Sequence, residues 1–534
     1  MKKTSISPGW RIAPAPVPDS AITREYSADV IVVGLGHAGT PAARAAAEAG
    51  ASVIGIEKME RDHFGVFGRD WGHINSRFLA AKGVPRVDPL ELFNEIMRRA
   101  GNRANPKLVM QFCRKSGEVF NWYTEPLTPE QMDLVIVEYW PSGKNFSGEI
   151  SGQKFWPGTA QFDHASQASL LKVVLANQAR AVQHGAQLHF GMEARQLVMT
   201  GDRVGGVVAQ DPQGKYVKYL AAKGVILAAG DFGGNREMCR ELLPDIVDMM
   251  DDGEDFSSFG RDGRGIQMAV WVGGRLEARP LAAMGGNNIT LMGVIDSFGA
   301  LWVDENGQRY CNEGFGDPVF AGFPSAQEKR GVRTIVFDSS IFEDLQSSPP
   351  AHTAFFINDA ATEQRLRDSL AGARKGGAKG YHISPSPGHP GNSTLYAADS
   401  LAELADYIGF KDNVKENFLN TVKHYNEACA GGRDEDFGKD ARLLHALDQP
   451  PFYAEPKTNS NIGFMLVTCG GLLTDEYQNV LNQKRDPIPG LYATGNCCGR
   501  RFGPQYSTPT AGVSIGMAIT LGYQAGRVVG GSGL

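Results

Sequence analysis

The sequence predicts an α/β fold built around a parallel sheet. Three observations predict it. A continuous β-branched strand, "ADVIVVG", runs from Ala28 to Gly34, as expected for a strand covered on both faces. A glycine turn follows it, and an alanine-rich helix, "TPAARAAAEAG", follows the turn and stops at Gly50. A second strand, "SVIGIEK", comes next and carries an acid, Glu57, at its end.

Composition bounds the rest. The chain has 534 residues, enough for a large core and more than one domain. Apolar residues make up 42% and charged residues 21%, an ordinary globular balance. A net charge of -6 gives no basic footprint for nucleic acid and no polybasic stripe for anionic lipid. The opening stretch "TSISPGWRIAPAPVPDS" is rich in Pro and Ser and reads as a flexible arm over 1–27, with no apolar run of the kind a signal peptide needs. No stretch of about 18 apolar residues is present, so no membrane span is expected. Seven cysteines form no CxxC pair and no CxxCH haem site. Reduced thiols in a cytoplasmic protein are expected, with no metal site and no haem or iron-sulfur relay.

The glycine turn is the first motif with chemistry in it. Gly34, Gly36 and Gly39 complete GxGxxG, with His37 and Ala38 inside the loop. Gly34 permits the tight turn, Gly36 lets a pyrophosphate approach the backbone, and Gly39 lets helix and strand pack closely. The phosphates then sit on the positive end of the helix. Glu57, roughly 20 residues on, accepts from a ribose hydroxyl, with Lys58 beside it. Strand before, helix after and acid at the end of the next strand give the context that a bare glycine pattern lacks. This is a Rossmann-like dinucleotide site, and only one such fingerprint occurs.

Two later segments point to FAD as the dinucleotide. "YLAAKGVILAAGDFGGN" is a strand running into Ala229, Gly230 and Asp231, and resembles the second flavin motif of glutathione-reductase-like flavoproteins. "DPIPGLYATGNCCGRRFG" resembles the closing motif of the same class, which places Gly495 and Asn496 near the ribityl chain. A helix from about Gly512 to Gly526, starting with Ser514 and Ile515, aims its N-terminal amides at flavin N1 and O2. Its dipole there favours the negative charge of the reduced ring.

From Asp29 to Gly526 the chain resembles the flavoprotein family of fumarate reductases, succinate dehydrogenases and 3-ketosteroid dehydrogenases. The markers are "GHAGTPAARAAAEAGASVIGIEK", "AAKGVILAAGDFGGNREM", "GRDGRGIQMAVWVGG", "GALWVDENGQRYCNE", "NFLNTVKHYNEACAGGRDEDFGK", "PPFYA", "TCGGLLTDE" and "PIPGLYATGN", all in the family's order. The resemblance implies a Rossmann-like FAD-binding domain of glutathione-reductase type, interrupted by an α+β capping domain. The first part of the FAD domain would be 28–275, the cap 276–450 and the second part 451–534. Ala194 would also line the cofactor. The flavin-covering Gly-Gly-Asn-Ser of the family is here Gly72-His73-Ile74-Asn75-Ser76. This puts His73, Asn75 and Ser76 near the ring and raises a contact, or even a covalent link, through His73.

The departures from the family narrow the substrate. Four residues after Asn312–Glu313, where fumarate reductases carry a proton-donating arginine, stands Asp317. The family's His-Thr-Met-Gly-Gly is Val467-Thr468-Cys469-Gly470-Gly471, and the second substrate-clamping arginine is Tyr506, as in the steroid dehydrogenases. The cationic grip a dicarboxylate needs is gone. A bulky, largely uncharged substrate, steroid-like or phenolic, fits better than fumarate. Hydride would move between flavin N5 and a substrate carbon. Tyr506 is the candidate to hold or polarise a substrate oxygen, Asp317 the proton donor, needing burial to raise its pKa, and Arg501 a further binding residue.

Ene reduction and dehydrogenation use the same arrangement, and NADH, a reduced flavin carrier and a quinone are all open as electron donor or acceptor. The resemblance extends to tetrahydrodaidzein reductases, in which case Asp317 would protonate a leaving hydroxyl. Two competing readings remain: an electron-transfer subunit acting with a redox partner, and an amine or amino-acid oxidase, which would leave "QRYCNE" and "TCGGLLTDE" unexplained.

Overall fold

The computed structural model describes residues 9–68, 70–137, 148–150, 152–162, 170–244, 247, 261–284, 300–314, 333–347, 360–383, 393–457, 467–506 and 509–533. The fold is mixed α/β. Its larger sheet runs Asn479–Leu481, Pro487–Ala493, Tyr216–Leu227, Ile22–Val33, Val53–Glu57, Gln187–Phe190. The four pairings among the last five strands are parallel. An antiparallel branch, Arg203–Gln210 then Glu193–Thr200, leaves from Tyr216–Leu227. Val30, Ile31 and Val32 are wholly buried at the centre. Alternate residues feed two cores, with Val30 and Val32 on one face and Ile31 and Val33 on the other. That is why the strand reads as an unbroken apolar run.

The expected flexible arm is corrected over residues 9–27. The first strand starts at Ile22, not Ala28, and Trp10 is only 4% exposed. Its indole Nε1 donates to Glu241 Oε2 at 2.8 Å, and its carbonyl accepts from Trp271 Nε1 at 2.9 Å. Arg11 Nη2 pairs with Glu241 Oε1 at 2.6 Å. A Pro- and Ser-rich average hid one large apolar anchor whose polar edges are both satisfied.

The helix Val513–Gly530 packs closely on the helix Gly39–Glu48 through glycines. A Cβ added at Gly522 would lie 2.3 Å from the Ala38 carbonyl oxygen, and one at Gly526 would lie 2.2 Å from that of Ala42. These glycines share one helical face by their four-residue spacing. Among the described residues no helix is long and apolar enough to cross a membrane.

A second unit carries a five-stranded antiparallel sheet: Leu301–Val303, Arg333–Phe337, Phe452–Lys457, Ser393–Ala398, Tyr381–Ile383. Trp302, Ile335, Phe337 and Tyr453 face one core, and Leu301, Val303, Val336 and Ala454 the other. This is the period-two alternation of a sheet covered on both sides. Helices Ala360–Gly376 and Asp412–Gly431 supply Leu366 and Leu370 to the first core and Phe418 and Val422 to the second.

Replacing Trp10 with alanine is expected to cost about 3 kcal/mol of stability, read as a lowered urea midpoint. A loose arm would leave the midpoint unchanged.

Candidate functional site

The site is assembled from the glycine turn outward. Gly34 has φ 93°, and a Cβ there would lie 2.5 Å from the Ala228 carbonyl oxygen. A Cβ at Gly39 would sit 1.7 Å from the Gly34 carbonyl oxygen. No side chain fits at either position. At Gly36, by contrast, the nearest atom to an added Cβ is Val66 Cγ1 at 3.9 Å. The turn is therefore closed toward the protein and open at Gly36. The helix behind it, Gly39–Glu48, has no side-chain cap at Ala38, and although the Thr40 amide already donates to the Gly36 carbonyl at 3.1 Å, the positive end of its dipole faces the turn and favours an anion there.

Glu57 is buried at the end of its strand. Oε2 accepts from the Leu35 amide at 2.9 Å and Oε1 from the Met59 amide at 3.0 Å. Each oxygen keeps a lone pair that a ribose hydroxyl could use. Lys58 next to it is exposed, and Ala194 is buried on the antiparallel branch opposite Ala209. His37 bonds the Phe67 carbonyl through Nε2 at 2.8 Å. Burial lowers its pKa and keeps it neutral, so Nε2 carries the proton. Nδ1 is then a buried acceptor with no partner among the described residues. An open glycine, an uncapped helix start, a carboxylate with spare lone pairs and an unsatisfied acceptor together fit a pyrophosphate and the hydroxyls of a dinucleotide.

The later motifs converge on this turn. A Cβ at Gly495, φ 59°, would be 2.6 Å from Ala38 Cβ. The Thr494 amide donates to Leu227 O at 2.9 Å, and Cys497 Sγ to Gly230 O at 3.2 Å. Ala229 and Gly230 thus lie against the Gly495–Asn496 segment. Asp231 is fully buried but engaged: Oδ1 accepts from the Gly233 amide at 2.8 Å and Oδ2 pairs with Arg261 Nε at 3.0 Å. Gly72 docks on the start of the helix Val513–Gly530, its amide donating to Gly512 O at 2.9 Å. Ser514 in that first turn lies beside the Cys469 thiol and acts to lower its pKa against burial. Ile515 fills the space above Gly68, where a Cβ would be 2.4 Å from its Cδ1.

In the loop Gly72–Ser76, His73 is wholly buried and stacks on Phe120 with ring centroids 3.7 Å apart. Its Nδ1 faces Trp71 O at 3.2 Å and its Nε2 faces Ser76 Oγ at 2.8 Å. Burial pushes its pKa down to about 3. The neutral ring thus has both nitrogens engaged by its own loop. Asn75 closes its amide on Val87, donating to the carbonyl at 2.8 Å and accepting from the amide at 2.9 Å. Ser76 caps the helix Arg77–Ala81. These three side chains shape the loop.

Tyr506 is 1% exposed and packs edge-on to Phe502, centroids 4.9 Å apart. Val467, Trp156, Ala282 and Cys469 belong to the same apolar cluster. Two positions that would have been cationic thus meet in an apolar setting. Arg501 is fully buried close by. Asp317 lies outside the described residues.

The Asn312–Glu313 pair before Asp317 is held by charge. Arg309 bonds both oxygens of Glu313 and both of Asp434, each at 2.8 Å. Lys439 Nζ stands 3.6 Å from Glu313. Burial opposes ionisation of Glu313, but Lys439 and Arg309 outweigh it and hold its pKa low. Arg309 and Glu313 are four residues apart, but Asp434 and Lys439 come from much later in the chain, as do the Gly471 and Arg500 amides that bond Glu277, so neither cluster is complete in a local sequence pattern.

A family model for the FAD binding domain matches residues 29–513. The chain belongs to this family. It is an FAD-dependent oxidoreductase with fumarate reductases among its sequence relatives. It is 23% identical to the digoxin reductase of Eggerthella lenta, over 95% of this chain and 87% of that one. It is 24% identical to the NADH:fumarate oxidoreductase of Klebsiella pneumoniae over 94% of its own length, but spans only 48% of that protein. Its fold is similar to 3-ketosteroid-delta4-(5alpha)-dehydrogenase from Rhodococcus jostii RHA1, with a TM-score of 0.69, 23% identity and coverage of 96% and 99% of the two chains.

Two outcomes follow for this flavoprotein. Gly39→Ala should purify with at least about tenfold less FAD per chain, read from visible absorbance, since a misplaced helix start loses its anion seat. Arg309→Met should cost about 3–5 kcal/mol near neutrality by stranding two buried carboxylates. Burial alone would push Asp434 up, but Arg309 and backbone amides hold it at about 2, below its ordinary 3.8. That stabilisation is complete above about pH 4 and fades as pH falls through about 2, so the deficit in chemical denaturation should shrink over the same window.

Proposed function

We propose that this flavoprotein moves a hydride between FAD and a carbon of a bulky, largely uncharged substrate such as a steroid or a phenolic isoflavonoid. The observation that carries the reading is the joint burial of Val467 and Tyr506 with Trp156 and Phe502 in one apolar cluster. A dicarboxylate has no ion-pairing partner at those two positions, whereas a fused-ring or aromatic substrate gains from apolar contact. The names of the relatives, digoxin reductase and a ketosteroid dehydrogenase, point the same way.

In this reading the first sheet belongs to a Rossmann-like FAD domain of glutathione-reductase type. The unit from about 276 onward is a cap over the substrate, and its central strand Phe452–Lys457 carries it past residue 450. Gly34, Gly36, Ala38, Gly39 and Glu57 hold the dinucleotide. Gly495, Asn496, Ser514 and Ile515 approach its ring end. FAD supplies two-electron chemistry at N5. Tyr506 holds a substrate oxygen and polarises it, and Asp317 gives or takes the proton on the opposite side. The buried ion cluster around Glu313 fixes the stem of the segment that carries Asp317.

The test is anaerobic. Photoreduced enzyme is mixed with steroids, isoflavonoids and simple enoates, and flavin reoxidation is followed. Reoxidation by a steroid or isoflavonoid and none by fumarate is expected, and rapid reoxidation by fumarate alone would sink the proposal. Tyr506→Phe should lower kcat/KM about 100-fold, and Asp317→Asn should remove one limb of the pH–rate profile.

A further inference from the structure

Arg501 is a fully buried guanidinium whose hydrogen bonds among the described residues go to neutral oxygens. Nε donates to Cys498 O at 3.0 Å, and one terminal nitrogen donates to Cys469 O at 3.3 Å and to Asn496 Oδ1 at 2.5 Å. The other terminal nitrogen is buried and has no partner among the described residues. Leaving a buried cation without a bonded carboxylate is costly. The contacts say where this charge is held. Asn496 follows Gly495, which rests on Ala38 of the glycine turn. Cys469 lies beside Ser514, in the first turn of the helix Val513–Gly530.

Glu277 stands behind Arg501. Oε1 accepts from the Gly471 amide and Oε2 from the Arg500 amide, both at 2.9 Å. Gly470 and Gly499 leave room for this carboxylate, since an added Cβ would be 2.9 Å or 2.7 Å from Oε1. Arg501 and Arg500 attract it.

We propose that Arg501 and Glu277 together set the electron affinity of the flavin, the standing charge of Arg501 raising it and the charge of ionised Glu277 lowering it. This rests on the reading that the N1–C2=O end of the flavin meets the helix turn at Ser514. Negative charge gathers at that end on reduction, so a nearby cation stabilises the reduced form and an anion opposes it. Burial pushes Glu277 up to about 7, against the backbone amides of Gly471 and Arg500 and the attraction of Arg501 and Arg500. The charge beside the flavin therefore changes across the neutral range. Burial pushes the neighbouring Cys469 and Cys498 thiols up to about 12 and about 11, outside that range, and Asp231 Oδ2 lies 3.0 Å from Arg261 Nε.

The experiment compares the full-length wild type with Arg501→Gln, Arg501→Lys and Glu277→Gln. Bound FAD, the flavin midpoint potential and the affinity for sulfite, which adds to electron-poor flavins, are measured for each. Arg501→Gln should lower the potential and weaken sulfite binding about tenfold, and Arg501→Lys should restore most of both. Glu277→Gln should shift both in the opposite direction, and its difference from wild type should grow from about pH 6 to about pH 8 as the native carboxylate ionises. Shifts of the same sign in Arg501→Gln and Glu277→Gln would mean a packing role and overturn the proposal. So would a Glu277→Gln potential that tracks wild type at every pH, a comparison that stands even where Arg501→Gln does not fold. Wild-type protein that holds no flavin after reconstitution defeats the underlying reading as well, an outcome separate from flavin bound at unshifted potential.

Discussion

The flavin half of the molecule depends on a contact between backbones with nothing between them. Gly39 lies so near the Gly34 carbonyl that a single methyl group is excluded. That closeness aims the helix start at the open face of Gly36. Ala38, in the middle of the turn, is the node to which the rest is fastened. Its Cβ bounds Gly495 and its carbonyl bounds Gly522. Segments distant in sequence can share this point because each brings a residue without a side chain to it. Their placement relative to one another follows from that of the turn.

What could be read from the sequence depended on how local the constraint was. The central strand, the glycine turn and Glu57 were legible because their spacing is fixed within a few dozen residues. Val467 and Tyr506 were legible as departures, because surrounding motifs say which residue type to expect there. Trp10 was not, since its partners Glu241 and Trp271 come from much later in the chain and composition dilutes one residue among many. The surroundings of His73 were not legible either. Nothing before the fold reveals that Phe120 covers its face and that Trp71 and Ser76 take its nitrogens. Glu277 and the uncompensated charge of Arg501 were equally hidden, because a buried ion is defined by its three-dimensional surroundings.

The second unit solves a different problem. Both faces of its sheet are buried, so its strands cannot be oriented by a wet side and a dry side. Arg309 adds a polar fastening between Glu313, beside the sheet, and Asp434, beyond the helix Asp412–Gly431. Such a cluster is weak evidence for net stability but fixes geometry, because each oxygen tolerates few alternative positions.

The packing of the helix Val513–Gly530 on the helix Gly39–Glu48 bears on how the protein is made. A ribosome delivers the nucleotide turn early, then the whole second unit, and only afterwards the glycine-faced helix that braces the turn. Pairings of such long sequence separation form slowly. The emerging chain must pass through a period with the turn made and its brace not yet translated, its apolar faces open to chaperones or to misassociation.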